Sequence, residues 1–301
     1  MVAGFKRAKF DQQVLWPEAD AASHDFIWCE NVIKEHSGSF YRAFSHLGYN
    51  EARAVYAIYA FCRTADDAVD EHNDAAELDK LSADLDKFAA GTTIDEPMWR
   101  ALRITFDRYN LDVEPYRELL TGLTMDLNPE QPQNMDELDH YCYLVAGTVG
   151  LMLAPLLAVN PDDDVVRDTS IKLGHAMQLT NILRDVGTDY RLGRTYLPAD
   201  LMRAHSLKFK DLAGPEMSGS LIELWEKLAK IALGYYDETS RNLQAYKSEA
   251  HLPLMLSLNY YRSIIYACRR SGYTLLSKRI YVPDYQKLLL YWKTKIQLLL
   301  R

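Results

Sequence analysis

Cysteine is scarce in this 301-residue chain, and its four copies, Cys29, Cys62, Cys142 and Cys268, form no CxxC pair. That excludes a zinc pattern, and in a chain this long it is no disulfide framework, so a reducing cytosol is expected. Basic charge is also short: 34 Lys and Arg against 42 Asp and Glu leave a formal charge of -8. A general nucleic-acid binder needs a basic face to displace counterions, so no nucleic-acid partner is expected. Neither Gly-x-x-x-x-Gly-Lys-Ser/Thr nor Gly-x-Gly-x-x-Gly occurs, which removes P-loop and Rossmann nucleotide sites. No Gly/Ser/Pro linker and no repeat of fixed period divides the sequence. The first twenty residues have no apolar core long enough for a secretory signal.

Strict alternation over strand length is nearly absent too. Instead, Ala, Leu, Glu, Lys and Arg dominate long segments in which apolar residues recur every three or four positions. "SLIELWEKLAKIALGYYDETSRNLQAY" is one of them. The pattern predicts an all-α chain of roughly ten or more helices, folded as one bundle-like domain over 1–301.

One long uncharged run stands out, "YCYLVAGTVGLMLAPLLAVN" at 141–160, with length enough to span a bilayer. Its flanks, "DELDH" and "PDDD", carry no Lys or Arg to anchor an end, and Gly147, Gly150 and Pro155 interrupt it. A central helix buried on all sides is the expectation.

Two acidic stripes carry the chemistry. In "YAFCRTADDAVD", Asp66 and Asp70 lie one helical turn apart, with Arg63 built in beside them. In "QLTNILRDVGTDY", Asn181, Asp185 and Asp189 recur every fourth position, preceded by Gln178 and opposed by apolar Leu179, Ile182, Leu183 and Val186. A four-residue step drifts by about 40°, so these oxygens share one broad face. Arg184 sits within this stripe, and Arg191 and Arg194 follow it. Hard cations such as Mg²⁺ take oxygen ligands and bridge a few carboxylates to phosphates. Arginines beside them suit phosphate oxygens. A di-iron bundle needs two Glu-x-x-His motifs, and only Glu137-Leu-Asp-His140 fits.

With both stripes in hand, the chain resembles the squalene/phytoene synthase family of head-to-head prenyl synthases, and within it the bacterial dehydrosqualene (diapophytoene) branch. The matching text is "HSGSFYRAF" (36–44), "YAFCRTADDAVD" (59–70), "YCYLVAGTVG" (141–150), "QLTNILRDVGTDYRLGRTYLP" (178–198) and, more weakly, "YYRSIIYACRRSGYTLLSKR" (260–279). The resemblance implies an isoprenoid-synthase helical bundle around a central cavity. It places several Mg²⁺ ions on Asp66, Asp70, Asn181, Asp185 and Asp189. It assigns diphosphate contacts to His36, Ser37, Gly38, Ser39, Tyr59, Arg63, Gln178, Arg184 and Tyr261, with Lys278 or Arg279 as a late basic contact. Phe40, Phe44, Val145 and Val149 belong to the prenyl site, and Tyr141 to cation stabilisation or proton removal. The family often has an acid where this chain has Thr188.

By the same resemblance the reaction joins two farnesyl diphosphates, through a cyclopropylcarbinyl diphosphate, to the C30 hydrocarbon dehydrosqualene. Phe44 is expected near the cavity floor, where it blocks a twenty-carbon chain. The 141–160 segment supplies dry walls, its glycines making room for the prenyl chain and Val145, Val149 and Leu151 lining it. NADPH is not expected; reductive squalene synthesis and C40 phytoene synthesis are alternatives, as is a non-enzymatic prenyl-lipid carrier. A desaturase acting downstream is the expected pathway partner. From the residues alone, Ser37 reads as a helix cap, and "YQKLLLYWKTKIQLLLR" as a terminal helix packed on the body or resting transiently on a membrane surface.

Overall fold

The computed structural model describes residues 22–70 and 75–300; the side chain of Asp70 and the first 21 residues, including the segment read for a secretory signal, lie outside this description. The described residues are helical throughout, without a strand, as the periodicity predicts. Only an isolated bridge joins Ala158 to Tyr246.

The first half builds around α3 (Tyr49–Asp70), packed against α1 (Ser23–His36), α4 (Ala75–Ala89), α5 (Pro97–Tyr109) and α6 (Glu114–Leu127). Helix α2 (Gly38–Phe44) joins α1 to α3. Buried Ala54, Ala57, Ala60, Ala65 and Ala68 let neighbours approach α3 closely on several sides, which suits a helix at the centre of a bundle. Pro97 starts α5, and Asn110 ends it in the left-handed region at φ 49°.

The uncharged run forms α7 (Met135–Cys142), a π-helical turn at Tyr143–Gly147, and α8 (Thr148–Leu157). It is the described helical stretch long and apolar enough to cross a membrane by composition. It is only half buried, which departs from the all-round burial expected from its sequence. One face packs on α6 and α9 (Asp164–Arg191), while Val145, Val149 and Leu153 face a cavity.

Of the glycines of this run, Gly150 borders the cavity as expected and Gly147 does not. A Cβ on Gly150 would lie 2.2 Å from the Ser170 carbonyl oxygen, and one on Gly147 within 3.3 Å of Ile171. Gly150 thus admits the α9 backbone while also lining the cavity, and Gly147 is closed in by the side chains of Tyr143 and Ile171. Leu151 points away from that cavity, because Val145, Val149 and Leu153 follow the four-residue period and Leu151 does not.

The second half closes the bundle with α10 (Ala199–Ala204), α11 (Gly219–Arg241), α12 (Ser248–Arg270) and α13 (Asp284–Leu299). Helix α9, capped by Asp163 through the Val165 amide at 2.8 Å, packs on α8, α11 and α12.

His175 is the costly residue of this core. Its ring is buried, Nε2 has no hydrogen-bond partner, and burial pushes its pKa down from 6.5 to about 4. The folded state therefore binds this proton less readily than the unfolded chain. The sign follows: stability is intact above pH 6.5 and is lost as pH falls from there towards 4. In urea titrations, the wild type is expected to lose about 2 kcal/mol more than His175→Gln between pH 7 and pH 5. Equal losses in the two proteins would contradict this assignment.

Candidate active site

Helix α9 presents its oxygen stripe because its opposite face is committed to the core. Leu179, Ile182, Leu183 and Val186 are buried, Trp225 Nε1 donates to the Leu183 carbonyl at 2.9 Å, and Thr180 pairs with the Tyr236 hydroxyl at 2.9 Å. Gln178, Asn181, Asp185 and Asp189 consequently line one chamber of about 260 Å³. From Gln178 to Asp189 the stripe covers roughly 16 Å of helix axis. Asp66 of α3 lines the same chamber and so faces the α9 stripe across it.

Gly187 brings the last cation to this chamber. A Cβ there would lie 2.5 Å from the Leu275 carbonyl oxygen, so only glycine admits the turn at Thr274–Leu276 so close to α9. Arg191 pins that turn by donating to the Leu276 carbonyl at 2.9 Å. Arg279 thereby reaches Asp185, with Nε 2.9 Å from Oδ1 and Nη2 3.0 Å from Oδ2. Arg184 grips the same carboxylate at 2.9 and 2.5 Å. Of the two candidates for a late basic contact, Arg279 lines the chamber and Lys278 does not.

Deeper in, Asp189 is buried beside Arg194, whose Nε lies 3.4 Å away. Burial raises its pKa to about 6; Arg194 opposes that shift, while Asp185 adds to it. Asp126, from the end of α6, accepts hydrogen bonds from the Tyr141 hydroxyl at 3.1 Å and the Tyr196 hydroxyl at 2.7 Å. The two rings stack at 4.8 Å. Burial and the Asp126 charge hold both phenols above their usual range, so each stays a neutral donor.

The chamber continues into an apolar arm of about 220 Å³, and Asp66, Val145, Gln178 and Asn181 border both. Phe44 is buried in its wall and stacks on Phe40 at 5.9 Å, and Phe40 meets Tyr261 at 5.4 Å and Tyr59 at 6.4 Å. Tyr246, also in the wall, is bonded to Thr169 and Ser170 at 2.9 and 3.0 Å. An acidic, arginine-rich chamber opening into an aromatic and aliphatic arm suits an amphiphile with a polyanionic head and a hydrocarbon tail.

A family model described as squalene/phytoene synthase matches residues 33–286. The chain belongs to the squalene/phytoene synthase family. It is 33% identical over 276 residues to the 4,4'-diapophytoene synthase of Staphylococcus haemolyticus, covering 90% of this chain and 96% of that protein. It is 34% identical over 269 residues to phytoene synthase 2 of Solanum lycopersicum, covering 87% and 86%. A solved dehydrosqualene synthase, crystallised with a ligand, superposes with a TM-score of 0.91 at 39% identity, over 94% of this chain and all of that one. The chain is thus an enzyme, a prenyltransferase of this family with its helical fold.

Not every residue expected from the family resemblance meets at the cavity. Ser37 caps α2, accepting from the Phe40 amide at 3.4 Å. His36, Gly38 and Ser39 sit at the same α1–α2 junction, and none of them lines the chamber or the arm. Arg63 pairs with Asp67 one turn along α3 and does not line the chamber either. Thr188, the departure from the family pattern, receives a hydrogen bond from Arg191 at 3.2 Å.

Conversely, Asp126 and Tyr196 are functional candidates that sequence reasoning missed. Asp126 has no periodic partner to mark it. Tyr196 lies inside the matched "RTYLP" text, which was the signal available.

For the Mg²⁺ the family implies, the donors fit. Asp66, Asn181, Asp185 and Asp189 are all hard oxygen ligands around one chamber. Among the described residues, no three His, Cys, Asp or Glu side chains form a metal cage by themselves. Arg279 and Lys278 give a sharp contrast in binding of inorganic pyrophosphate with Mg²⁺, measured by calorimetry. Arg279→Ala is expected to weaken it about tenfold or more, the scale of a charge-assisted hydrogen bond. Lys278→Ala should stay within about twofold; the reverse ranking would refute the Arg279 assignment.

Proposed function

We propose that this enzyme condenses two molecules of farnesyl diphosphate head to head, in a Mg²⁺-dependent reaction, to give dehydrosqualene, the whole chain acting as one domain. The observation that carries this reading is the junction itself: one polar chamber and one apolar arm share Asp66, Val145, Gln178 and Asn181 as a border. A prenyl diphosphate bound there has its scissile C–O bond at that border.

Asp66, Asn181, Asp185 and Asp189, with Asp70, would hold Mg²⁺, which supplies Lewis-acid stabilisation of the departing diphosphate. Arg184, Arg194 and Arg279 add fixed positive charge around the same leaving group. Gln178 and Tyr59 orient the substrate at the mouth of the arm. The aromatic cluster of Phe40, Tyr59 and Tyr261 offers ring faces to the allylic cation, and the arm keeps water from it. The first cation is attacked by the second molecule's double bond, and the new cation closes the cyclopropane ring by losing a proton to a base at the site, giving the cyclopropylcarbinyl diphosphate. Its ionisation, rearrangement and proton loss give the triene core. Tyr141 and Tyr196 fix the Asp126 carboxylate beside the chamber, where it and the released diphosphate are the bases at hand for that proton.

Phe44, buried in the arm with Phe40 stacked on it, favours a fifteen-carbon over a twenty-carbon tail. The second reading, C40 phytoene synthesis, is favoured by the phytoene synthases of equal identity. No reductive step is proposed, so NADPH is not a cofactor in this reading. The product then calls for a desaturase as the consuming enzyme. A cytosolic setting accords with four buried free thiols.

Incubation with farnesyl diphosphate and Mg²⁺, followed by mass analysis with and without NADPH, is expected to give dehydrosqualene in both cases. Squalene appearing only with NADPH, or no hydrocarbon at all, would overturn the reading. Offered farnesyl and geranylgeranyl diphosphate equally, the enzyme should make more C30 than C40; the opposite ratio would reassign Phe44. Asp66→Asn and Asp185→Asn should each lower kcat by at least about a hundredfold with unchanged circular dichroism. Near-normal rates in saturating Mg²⁺ would remove these residues from the mechanism.

A further inference from the structure

Among the described residues, helix α13 carries a continuous apolar stripe that no other described element covers. Leu288, Leu289, Trp292, Ile296 and Leu299 are between 51% and 79% exposed, and Tyr285 and Leu300 extend the same stripe. At about 100° per residue, these side chains occupy an arc of roughly 120° centred opposite the buried face. That buried face is well held: Thr294 accepts from Asn259 of α12 at 2.8 Å, Tyr291 stacks on His46 at 5.2 Å, and Arg42 pairs with Asp284 at 2.9 Å. The stripe is therefore a fixed outer surface and not a frayed end.

Charge selects what covers it. Lys295 and Lys293 lie just beyond the two edges of the arc, about 20° outside Leu288 and Leu300. The Lys295 ammonium also sits over the Trp292 ring at 5.8 Å. Asp284 is the helix's single acid, against three lysines, and it is already paired with Arg42. Along the Lys293 edge runs a cleft of about 270 Å³ between α12 and α13, into which Arg262, Asn259 and Ser263 also project and which no carboxylate among the described residues lines. Arg262 holds Asp237 with its Nη2 group, while its Nε atom is buried without a hydrogen-bond partner. Two copies meeting through α13 would set lysine against lysine. An anionic lipid surface instead receives the apolar stripe among its acyl chains and the lysines and cleft among its phosphates.

We infer that α13 docks this protein on an anionic phospholipid bilayer, with Trp292 and its neighbouring leucines immersed, Lys293 and Lys295 on the headgroups, and the Arg262 cleft receiving a lipid phosphate. The placement has a consequence for the fold. Helices α2 and α12 are the single layer between α13 and the apolar arm: Phe44, Leu254 and Tyr261 face the arm, whereas Ala43, Leu256 and Tyr260 back onto Leu290 and Tyr291. The docked face thus lies next to the hydrocarbon end of the cavity. The docking itself does not depend on the reaction proposed above.

The test is co-sedimentation of the full chain with vesicles of equimolar phosphatidylglycerol and phosphatidylcholine, against phosphatidylcholine alone. Wild type should bind the anionic vesicles at least tenfold more tightly than the neutral ones. The double variant Leu289→Glu, Trp292→Glu should lose at least tenfold on anionic vesicles, with its thermal midpoint unchanged because both side chains are exposed. Lys293→Glu with Lys295→Glu should abolish the preference for phosphatidylglycerol. Wild type remaining in the supernatant, variants that bind like wild type, or equal binding to neutral vesicles would each overturn the inference. A wild-type dimer in sedimentation velocity that the Leu289→Glu, Trp292→Glu variant converts to monomer would overturn it too, since a second copy would then own the stripe.

Discussion

The whole arrangement depends on keeping carboxylates charged where a bundle would rather be dry. Asp185 is gripped by Arg184 from its own helix and by Arg279 from the turn that follows α12. Enclosing a carboxylate without such partners is costly. Asp189, with only Arg194 at 3.4 Å, already shows that cost in its raised pKa. The scaffold exists to hold this balance. Gly187 admits the turn that carries Arg279, Trp225 and Tyr236 fix the core side of α9, and α3 sets Asp66 opposite.

A second constraint is the transition from polar to apolar within a short span. Along α9, Gln178 and Asn181 border both environments, while Asp185 and Asp189 belong to the chamber alone. Across from them the π-helical turn at Tyr143–Gly147 shifts the helical register, so Tyr141 addresses Asp126 whereas Val145 and Val149 address the arm. Such turns commonly occur where one helix must serve two neighbours. Head and tail of an amphiphile are thereby separated by side-chain geometry and not by a moving part.

Much of this was readable from periodicity. The all-α fold and the stripes on α3 and α9 follow from repeats of three and four residues, whereas the apolar wall came from the family resemblance. What periodicity cannot encode is which partner each face meets. Gly147 looked like space for a ligand but is closed in by side chains, whereas Gly150 borders the arm and also admits the α9 backbone, a second role the sequence does not reveal. Choosing Arg279 over Lys278 required the turn beside Gly187. Asp126 and Tyr196 are single residues from separate segments, brought together only by the bundle. The family resemblance added residues that pattern alone would not have selected, and Phe40, Phe44, Tyr59 and Tyr261 do converge on the arm. His36, Gly38 and Ser39 do not line it, and the capping role readable in Ser37 is the one its side chain fills.

The central claim is that Asp66 on one helix and Asn181, Asp185 and Asp189 on another serve one metal-bridged diphosphate. A crystal structure of this protein with Mg²⁺ and an unreactive thio analogue of farnesyl diphosphate tests it most directly. The account predicts metal density between the two stripes, the diphosphate beside Arg184 and Arg279, and the farnesyl tail along Phe40 and Phe44. Metal and diphosphate bound away from either stripe, or a tail lying outside the arm, would contradict it.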